Sequence, residues 1–152
     1  GYGAGNEKII KSIAKIQSQS TTNPCSISQI AAKFALDTKK NFLSDWIKQF
    51  EERKNFLINF FNSISQFEVI NPEGAFYLFV GCEGFIQKKT PEGKIISNDV
   101  DFAEFILTDS KVAIVPGVAF GKSPYFRISY ATSLDDLKLA CKQIKNSIAK
   151  IL

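Results

Sequence analysis

The apolar residues change their spacing near the middle of the chain, from helical intervals to short runs. In the first half, isoleucines that recur every three or four residues predict a helix over 6–17. The stretch 18–23, rich in hydroxyl and amide groups, then predicts a loop. Asn23 is a good N-cap and Pro24 fits the first helical position, so we expect a second helix from there to about Leu36.

One long helix is predicted between residues 41 and 65. Apolar residues occupy both of its halves, but residues 51–55 span more than one turn without any. A helix with two apolar halves and a solvated middle suits an element that connects two packing environments. The same pattern fits one helix bent over a single core, and periodicity alone does not separate the two interpretations.

Short β-branched and aromatic runs dominate the second half of the chain and predict strands between turn sequences. The predicted strands cover 67–70, 75–80, 112–115 and 125–130. Amphipathic helices are predicted over 99–108 and from a cap at Ser133 to the end of the chain. The order is helix, helix, long helix and then β-β-α-β-β-α, which predicts a mostly helical segment followed by a small α/β layer.

Composition narrows the possible chemistry. The 152 residues include no His and no Met, and the only arginines among 19 basic residues are Arg53 and Arg127. Without His, we expect no His-based metal site and no Ser-His-Asp triad. Cys25, Cys82 and Cys141 are far apart in sequence and are interpreted as small buried hydrophobic residues. The net charge of +4 is spread along the chain and no apolar run approaches the about 20 residues of a membrane span, so neither nucleic acid nor a membrane is an expected partner.

Arg127 is the first candidate functional residue, because it lies inside the apolar run 125–130. A fixed charge in that setting needs a partner or an anionic ligand. Arginine binds a carboxylate through two parallel hydrogen bonds, a geometry that lysine cannot reproduce. A structural ion pair or a strand position facing solvent explains the same residue. The loop 18–23 is a second candidate, either as an anion site at a helix N-terminus or as a simple cap.

Five segments together resemble the carboxy-terminal part of class I pyridoxal-phosphate aminotransferases, and bacterial aspartate aminotransferases in particular. They occur in the order and spacing of that family and cover nearly the whole chain. The segments are GYGAG at 1–5, IQSQSTTNP at 16–24, NPEGAFY at 71–77, VPGVAFG at 115–121 and YFRISYATS at 125–133.

The resemblance implies a carboxy-terminal fragment of the α/β pyridoxal-phosphate transferase fold. Residues 1–40 would be the helical end of the large cofactor domain, and residues 41–66 a long connecting helix. Residues 67–152 would form a small α/β domain in which helices cover a short sheet. The resemblance also implies that the intact enzyme is a cytoplasmic homodimer.

The resemblance assigns roles to particular residues. Arg127 matches the arginine that grips the α-carboxylate of the substrate, and Phe76 and Tyr77 match a small-domain strand close to the substrate entrance. A loop at the dimer interface, near the active site of the neighbouring subunit, is matched by Ser20, Thr21, Thr22 and Asn23. The Schiff-base lysine and the other cofactor-binding residues of the family match positions upstream of Gly1, so we expect no catalytic, cofactor-binding or metal-binding residue in this chain.

The function implied for the intact enzyme is transfer of an amino group between an amino acid, with aspartate as the donor, and a 2-oxo acid by a ping-pong mechanism. Pyridoxal 5'-phosphate would be the cofactor. This fragment would supply the α-carboxylate clamp and part of the dimer interface, and we expect it to be inactive alone and not to bind the cofactor covalently. The alternative hypothesis is a stand-alone binding or interaction domain that keeps the small-domain fold and presents Arg127 to carboxylates or to a partner protein.

Overall fold

The computed structural model describes residues 2–38 and 43–151, which contain five α-helices and a four-stranded sheet. The chain divides into two compact units, residues 1–42 and residues 43–152. The predicted fold class, α/β with helices preceding a short sheet covered by helices, is confirmed. The predicted domain boundaries at residues 40 and 66 stay predictions.

The first unit contains two helices, α1 (Glu7–Ser20) and α2 (Ser26–Asp37), and neither helix has a buried residue. The Asn6 side chain caps α1 by accepting a hydrogen bond from the backbone N–H of Lys8 at 3.0 Å. The apolar stripe that predicted α1 is present, but most of it is exposed.

The predicted loop at 18–23 is wrong for its first three residues, which continue α1. The hydroxyls of Ser18 and Ser20 donate to carbonyls one turn back, and these local bonds accommodate serine inside the helix. The predicted cap at Asn23 is also wrong, because α2 begins at Ser26 with Cys25 as its N-cap. The Pro24 carbonyl instead accepts a bond from the Gln29 side chain at 2.8 Å.

The second unit contains three helices and four strands. In chain order they are α3 (Ser44–Asn62), β1 (Glu68–Ile70), β2 (Tyr77–Gly81), α4 (Asp99–Ser110), β3 (Val115–Pro116), β4 (Tyr125–Ser129) and α5 (Leu134–Ile148). The start of the predicted long helix, residues 41 and 42, lies outside the described residues. The buried core residues of α3, Leu57 and Phe61, lie in its second half; in its first half Phe50 packs against the core while Trp46 and Ile47 are exposed.

All strand pairs are antiparallel, and the sheet order is β1-β2-β4-β3. The predicted strand over 112–115 is wrong except at its last residue. A strand needs a hydrogen-bonded neighbour, and the ladder between β3 and β4 contains only Val115 and Pro116 opposite Arg127 and Phe126. The residues before Val115 connect α4 to the edge of the sheet.

The inner face of the sheet packs against the helices. We define this inner face by Leu78, Val80, Phe126 and Ile128, all buried in one hydrophobic cluster with residues of α3, α4 and α5. Cys82 and Cys141 are buried as predicted, and burial raises the pKa of each thiol to about 12. The same prediction is wrong for Cys25, which is exposed in the first unit.

Candidate functional site

Strand β4 places Arg127 in the middle of the sheet. Its backbone neighbours are Phe79 on β2 and Val115 on β3. Phe126 and Ile128, on either side of it in sequence, point into the core and are 1% and 4% exposed. Because side chains alternate along a strand, Arg127 lies on the opposite face. We define this outer face by Tyr77, Phe79, Tyr125 and Arg127.

Two aromatic rings hold the guanidinium of Arg127. Its Cζ atom lies 4.2 Å from the centre of the Tyr77 ring and 4.4 Å from the centre of the Phe120 ring. A cation within about 6 Å of a ring centre is attracted by the electrons of the ring face. We call Tyr77 and Phe120 the aromatic clamp. The clamp fixes the planar fork without using its N–H groups as hydrogen-bond donors.

The described residues, 2–38 and 43–151, supply no ion-pair partner to Arg127. Glu68, on the edge strand β1 beyond β2, accepts a hydrogen bond from the Tyr125 hydroxyl at 2.7 Å. That bond raises the pKa of Tyr125, because it favours the neutral phenol. A structural ion pair at Arg127 is therefore not formed within the described part of the chain.

Phe76 extends the aromatic surface beyond the clamp. Its ring lies 4.4 Å from that of Tyr77 and 6.3 Å from that of Phe50, and the side chain is 41% exposed. Its carbonyl accepts a hydrogen bond from the backbone N–H of Tyr130 at 2.9 Å, which continues the pairing beyond β2. Phe76 thus reaches Arg127 through Tyr77, the ring that both residues contact.

The turn Gly117–Phe120 presents the second ring of the clamp. Gly117 is buried, and a Cβ atom there would lie 2.2 Å from the carbonyl oxygen of Lys122. Only glycine fits this close approach of two backbone segments. The turn closes at Gly121, whose φ of 76° is in the left-handed region. The side chain of Val118 points outward and is exposed.

From the sequence, Tyr77 was placed near the substrate entrance, but its contact with Arg127 was not predicted, and no role was given to Phe120 or to Asp99, which is buried behind the turn. Asp99 is the first residue of α4, where an acidic residue is common for reasons of helix dipole alone. Tyr77 and Phe120 look like ordinary strand and turn residues. Their role depends on contacts with Arg127, which follows Tyr77 by 50 positions and Phe120 by 7, and no apolar period along the chain indicates either contact.

The four residues matched to an interface loop lie in the first unit, and all four are exposed. Ser20 ends α1, and the backbone N–H groups of Thr21 and Thr22 donate to the Gln17 carbonyl at 3.0 and 2.9 Å. Thr22 has a φ of 62°, which is uncommon for a β-branched residue. Asn23 lies between the two helices and is not the cap of α2, which is Cys25.

Two further properties concern the described residues as a whole. They contain no group of three His, Cys, Asp or Glu side chains that could hold a metal ion. None of their helices combines the length and the apolar character needed to cross a membrane.

Comparison with known proteins gives one consistent result. A family model described as aminotransferase class I and II matches residues 1–144. The chain is 45% identical over 151 residues to a probable aspartate/prephenate aminotransferase of Rickettsia bellii, covering 99% of the chain and 38% of the relative. It is 46% identical over 151 residues to an aspartate aminotransferase of Rhizobium meliloti, covering 99% of the chain and 37% of the relative.

Solved structures show the same similarity. The crystal structure of the aspartate aminotransferase from Rhizobium meliloti matches 98% of this chain and 37% of its own, with a TM-score of 0.89 and 44% identity. An aspartate aminotransferase from Thermotoga maritima matches 94% of this chain and 34% of its own, with a TM-score of 0.74 and 35% identity. The chain thus spans little more than a third of the length of the relatives that it matches.

Proposed function

The chain belongs to the class I and II aminotransferase family, and on that premise we propose that it supplies the α-carboxylate clamp of an enzyme that transfers amino groups. The observation that carries this proposal is the geometry of Arg127. Its guanidinium lies between Tyr77 and Phe120 and has no carboxylate partner among the described residues. An amino acid or a 2-oxo acid brings the carboxylate that this fork lacks.

Arg127 would bind the α-carboxylate through two parallel N–H···O bonds. Hydrogen bonds to charged groups contribute about 1.5–3 kcal/mol each, so the pair provides substantial affinity. Two bonds also fix the orientation of the carboxylate plane and so of the Cα–H bond that must break. The aromatic clamp limits the rotamers of Arg127, which lowers the entropy lost when the substrate binds.

The family uses pyridoxal phosphate, which supplies the electron sink for amino transfer when bound. The outer face of this chain does not fit a covalent site for that cofactor. Lys122 is the lysine beside it, and its Nζ lies 4.2 Å from the Tyr125 ring centre, next to aromatic carbon rather than in a polar cradle. Borohydride reduction of the chain mixed with the cofactor should label lysines without selecting one. A single fully labelled lysine would contradict this.

The names of the relatives support aspartate as the amino donor, with a 2-oxo acid as the acceptor. We further propose that the intact enzyme is a cytoplasmic homodimer. In it, residues 1–40 end the large domain, 41–66 connect the domains and 67–152 form the small domain. Residues 20–23 would lie at the subunit interface near the active site of the neighbouring subunit, and Phe76 near the substrate entrance.

A chimera tests the proposal. The chain replaces the matching carboxy-terminal part of the Rhizobium meliloti aspartate aminotransferase, and amino transfer from aspartate is measured. Arg127→Ala should raise the KM for aspartate by about 100-fold, since two charge-assisted bonds are lost. Arg53→Ala is the matched control, because it removes the other arginine, which is bonded to Gln49 on α3. An unchanged KM in Arg127→Ala, with the control also unchanged, would contradict the proposal that Arg127 binds the α-carboxylate.

A stand-alone binding domain is the second candidate function. It is favoured by one observation, that the second unit holds its own hydrophobic core together with Arg127. In that case the 152-residue chain binds succinate through Arg127, while the chimera folds and binds succinate but transfers no amino groups. An active chimera would favour the enzyme.

A further inference from the structure

We propose that the buried carboxyl group of Asp99 is a positioning residue for Arg127, because it holds the turn that carries Phe120. This inference rests on the proposed function of Arg127 as a carboxylate clamp. It adds a residue that lies on α4, outside the sheet, and touches neither Arg127 nor its ligand.

Asp99 is bonded to both sides of the turn. It is 1% exposed, and its Oδ2 accepts a hydrogen bond from the backbone N–H of Val118 at 2.7 Å. Its Oδ1 accepts a second bond from the hydroxyl of Ser123. Phe120 lies between these two donors in sequence. The carboxyl group therefore fixes the segment at one point before Phe120 and at one point after it.

Helix capping does not explain this carboxyl group. The cap of α4 is Asn98, whose side chain accepts bonds from the backbone N–H groups of Val100 and Asp101 at 2.9 and 3.0 Å. Asp99 is also absent from the ion pairs of the described residues. A buried carboxyl group is costly without hydrogen bonds, and the bonds that satisfy this one go to the turn.

Phe120 depends on the turn for its position. Its side chain is 48% exposed, so core packing holds it only on one side. Its ring contacts the guanidinium of Arg127 at 4.4 Å and the ring of Phe79 at 6.3 Å. Gly117 and Gly121, at the two ends of the turn, give its backbone more freedom than other residues would. The bonds from Asp99 restrict that freedom.

Each step of this chain of contacts is direct: Asp99 to the turn, the turn to Phe120, and Phe120 to Arg127. Releasing the turn removes one wall of the aromatic clamp, and the guanidinium then samples more rotamers. The carboxylate ligand must restrict those rotamers again, so affinity falls while the arginine itself is intact. In an active enzyme the same change raises KM more than it lowers kcat.

Nuclear magnetic resonance on the ¹⁵N-labelled 152-residue chain tests this inference. The sequence has two arginines, so the side-chain Nε–H region contains one signal from Arg127 and one reference signal from Arg53. Succinate is titrated into wild type, Asp99→Leu, Asp99→Asn and the control Asp101→Asn, well below each unfolding temperature. Asp101 is the matched acid of the same helical turn, with bonds to Ser97 and Lys94 instead of the turn.

The expected results distinguish positioning from stability. Asp99→Leu should weaken succinate binding about fivefold and move the ligand-free Arg127 signal away from its ring-shifted position. Asp99→Asn should stay within about twofold of wild type, since an amide oxygen accepts the Val118 bond and its NH₂ donates to Ser123. Asp101→Asn should leave both readouts unchanged. Phe120→Ala should reproduce the Asp99→Leu loss, and the double variant should show no further loss.

Two outcomes would overturn the inference: an unmoved Arg127 signal in Asp99→Leu, or losses that add in the double variant. If Asp99→Leu does not fold, Ser123→Ala is used instead. Ser123 is exposed, and its loss removes one of the two hydrogen bonds that Asp99 accepts, so binding should weaken about twofold. An unchanged affinity in that variant counts against Asp99. The proposed function has a separate test: it fails if Arg127→Ala binds succinate as tightly as wild type. The inference about Asp99 is still tested in that case, because it is read from the ligand-free Arg127 signal of wild type and Asp99→Leu.

Discussion

The two faces of the sheet are built from alternate residues of the same strands, yet their side chains make different kinds of contact. On the inner face, Phe126 and Ile128 are surrounded by other apolar side chains and are almost fully buried. On the outer face, Arg127 is half-buried, and within residues 2–38 and 43–151 its guanidinium contacts two aromatic rings and no carboxylate. A step of one residue along β4 separates the part of the strand that stabilises the fold from the part that is free to bind.

This difference shows why the arginine lies on a central strand rather than on a loop. The inner residues hold β4 rigidly between β2 and β3, and that rigidity is transmitted to the Arg127 backbone. The second unit therefore combines a core and a clamp in one sheet. In the described part of the first unit, residues 2–38, neither helix has a buried residue, so that part has no comparable arrangement within itself.

The largest expected effect is on the inner face. Phe126→Ala should lower the free energy of unfolding by about 3–5 kcal/mol, because it leaves a cavity among Phe61, Phe67 and Phe102. Urea denaturation of the chain measures this. Ser129→Ala, an exposed outer-face change on the same strand, should shift the value by no more than about 0.5 kcal/mol. Equal losses in the two variants would remove the distinction between the faces.

The next effect is a loss of ligand affinity with little change in the free energy of unfolding. Arg127→Lys keeps the charge but loses the planar fork, so succinate affinity should fall about tenfold. The free energy of unfolding should change by less than about 1 kcal/mol, because the core residues are untouched. Calorimetry and urea denaturation on the same samples check both values. A lysine variant that binds as tightly as wild type would show that charge alone suffices.

A smaller effect is expected in the helices that cover the inner face. Asp109 on α4 accepts bonds from Lys150 at 2.8 Å and from Ser147 at 2.6 Å, and these bonds lower the pKa of its carboxyl group. A lowered pKa means that the stabilisation is present above the unfolded pKa and is lost as pH falls through the folded pKa. Asp109→Asn should cost about 0.5–1 kcal/mol at pH 7.

The pH dependence provides the check on that prediction. The difference between wild type and Asp109→Asn should shrink as the pH of the urea experiment is lowered from neutral through the range in which carboxylates titrate. Asp135→Asn is the control, since Asp135 is almost fully exposed and its contact with Lys138, at 3.4 Å, is longer than the contacts of Asp109. A difference that does not depend on pH would mean that packing, rather than charge, explains the loss.

The smallest effect is on the outer face. Tyr125→Phe removes the bond to Glu68 and should lower the free energy of unfolding by about 0.5 kcal/mol near neutral pH. Because the pKa of Tyr125 is raised in the folded chain, this contribution is present below the unfolded pKa and is lost as pH rises through the folded pKa. Tyr77→Phe is the control. A Tyr125→Phe loss that persists at high pH would exclude the phenol bond as its source.

Some elements follow from local sequence because local forces decide them. The helices α1 and α5 and the strand β4 were predictable, since α1 and α5 have strong apolar periods and side-chain caps at Asn6 and Ser133, and β4 alternates. The helix α4 has a weaker apolar period, but the Asn98 side chain caps it. The ends were less predictable. Serines continued α1 where a loop was expected, and Val112 remained outside the sheet because no strand pairs with it.

The candidate site divides in the same way. Arg127 was identifiable because a charge inside an apolar alternation is unusual in any strand. Phe120 and Asp99 were not, because a phenylalanine in a turn and an aspartate in a first helical turn are both common. Nothing near them in sequence indicates that α4 approaches the turn after β3.

By itself, the sequence determined the element types, the α/β class and the arginine on β4, because these depend on the spacing of residues within about ten positions. The tertiary structure decided which neighbours that arginine has. The register of β2 on β4 brings Tyr77 to it, and the turn held by Asp99 brings Phe120. Tyr77 is 50 positions from Arg127, and Asp99 is 19 positions from Val118, so only the packed fold, in which every buried polar group must find a partner, specifies these contacts.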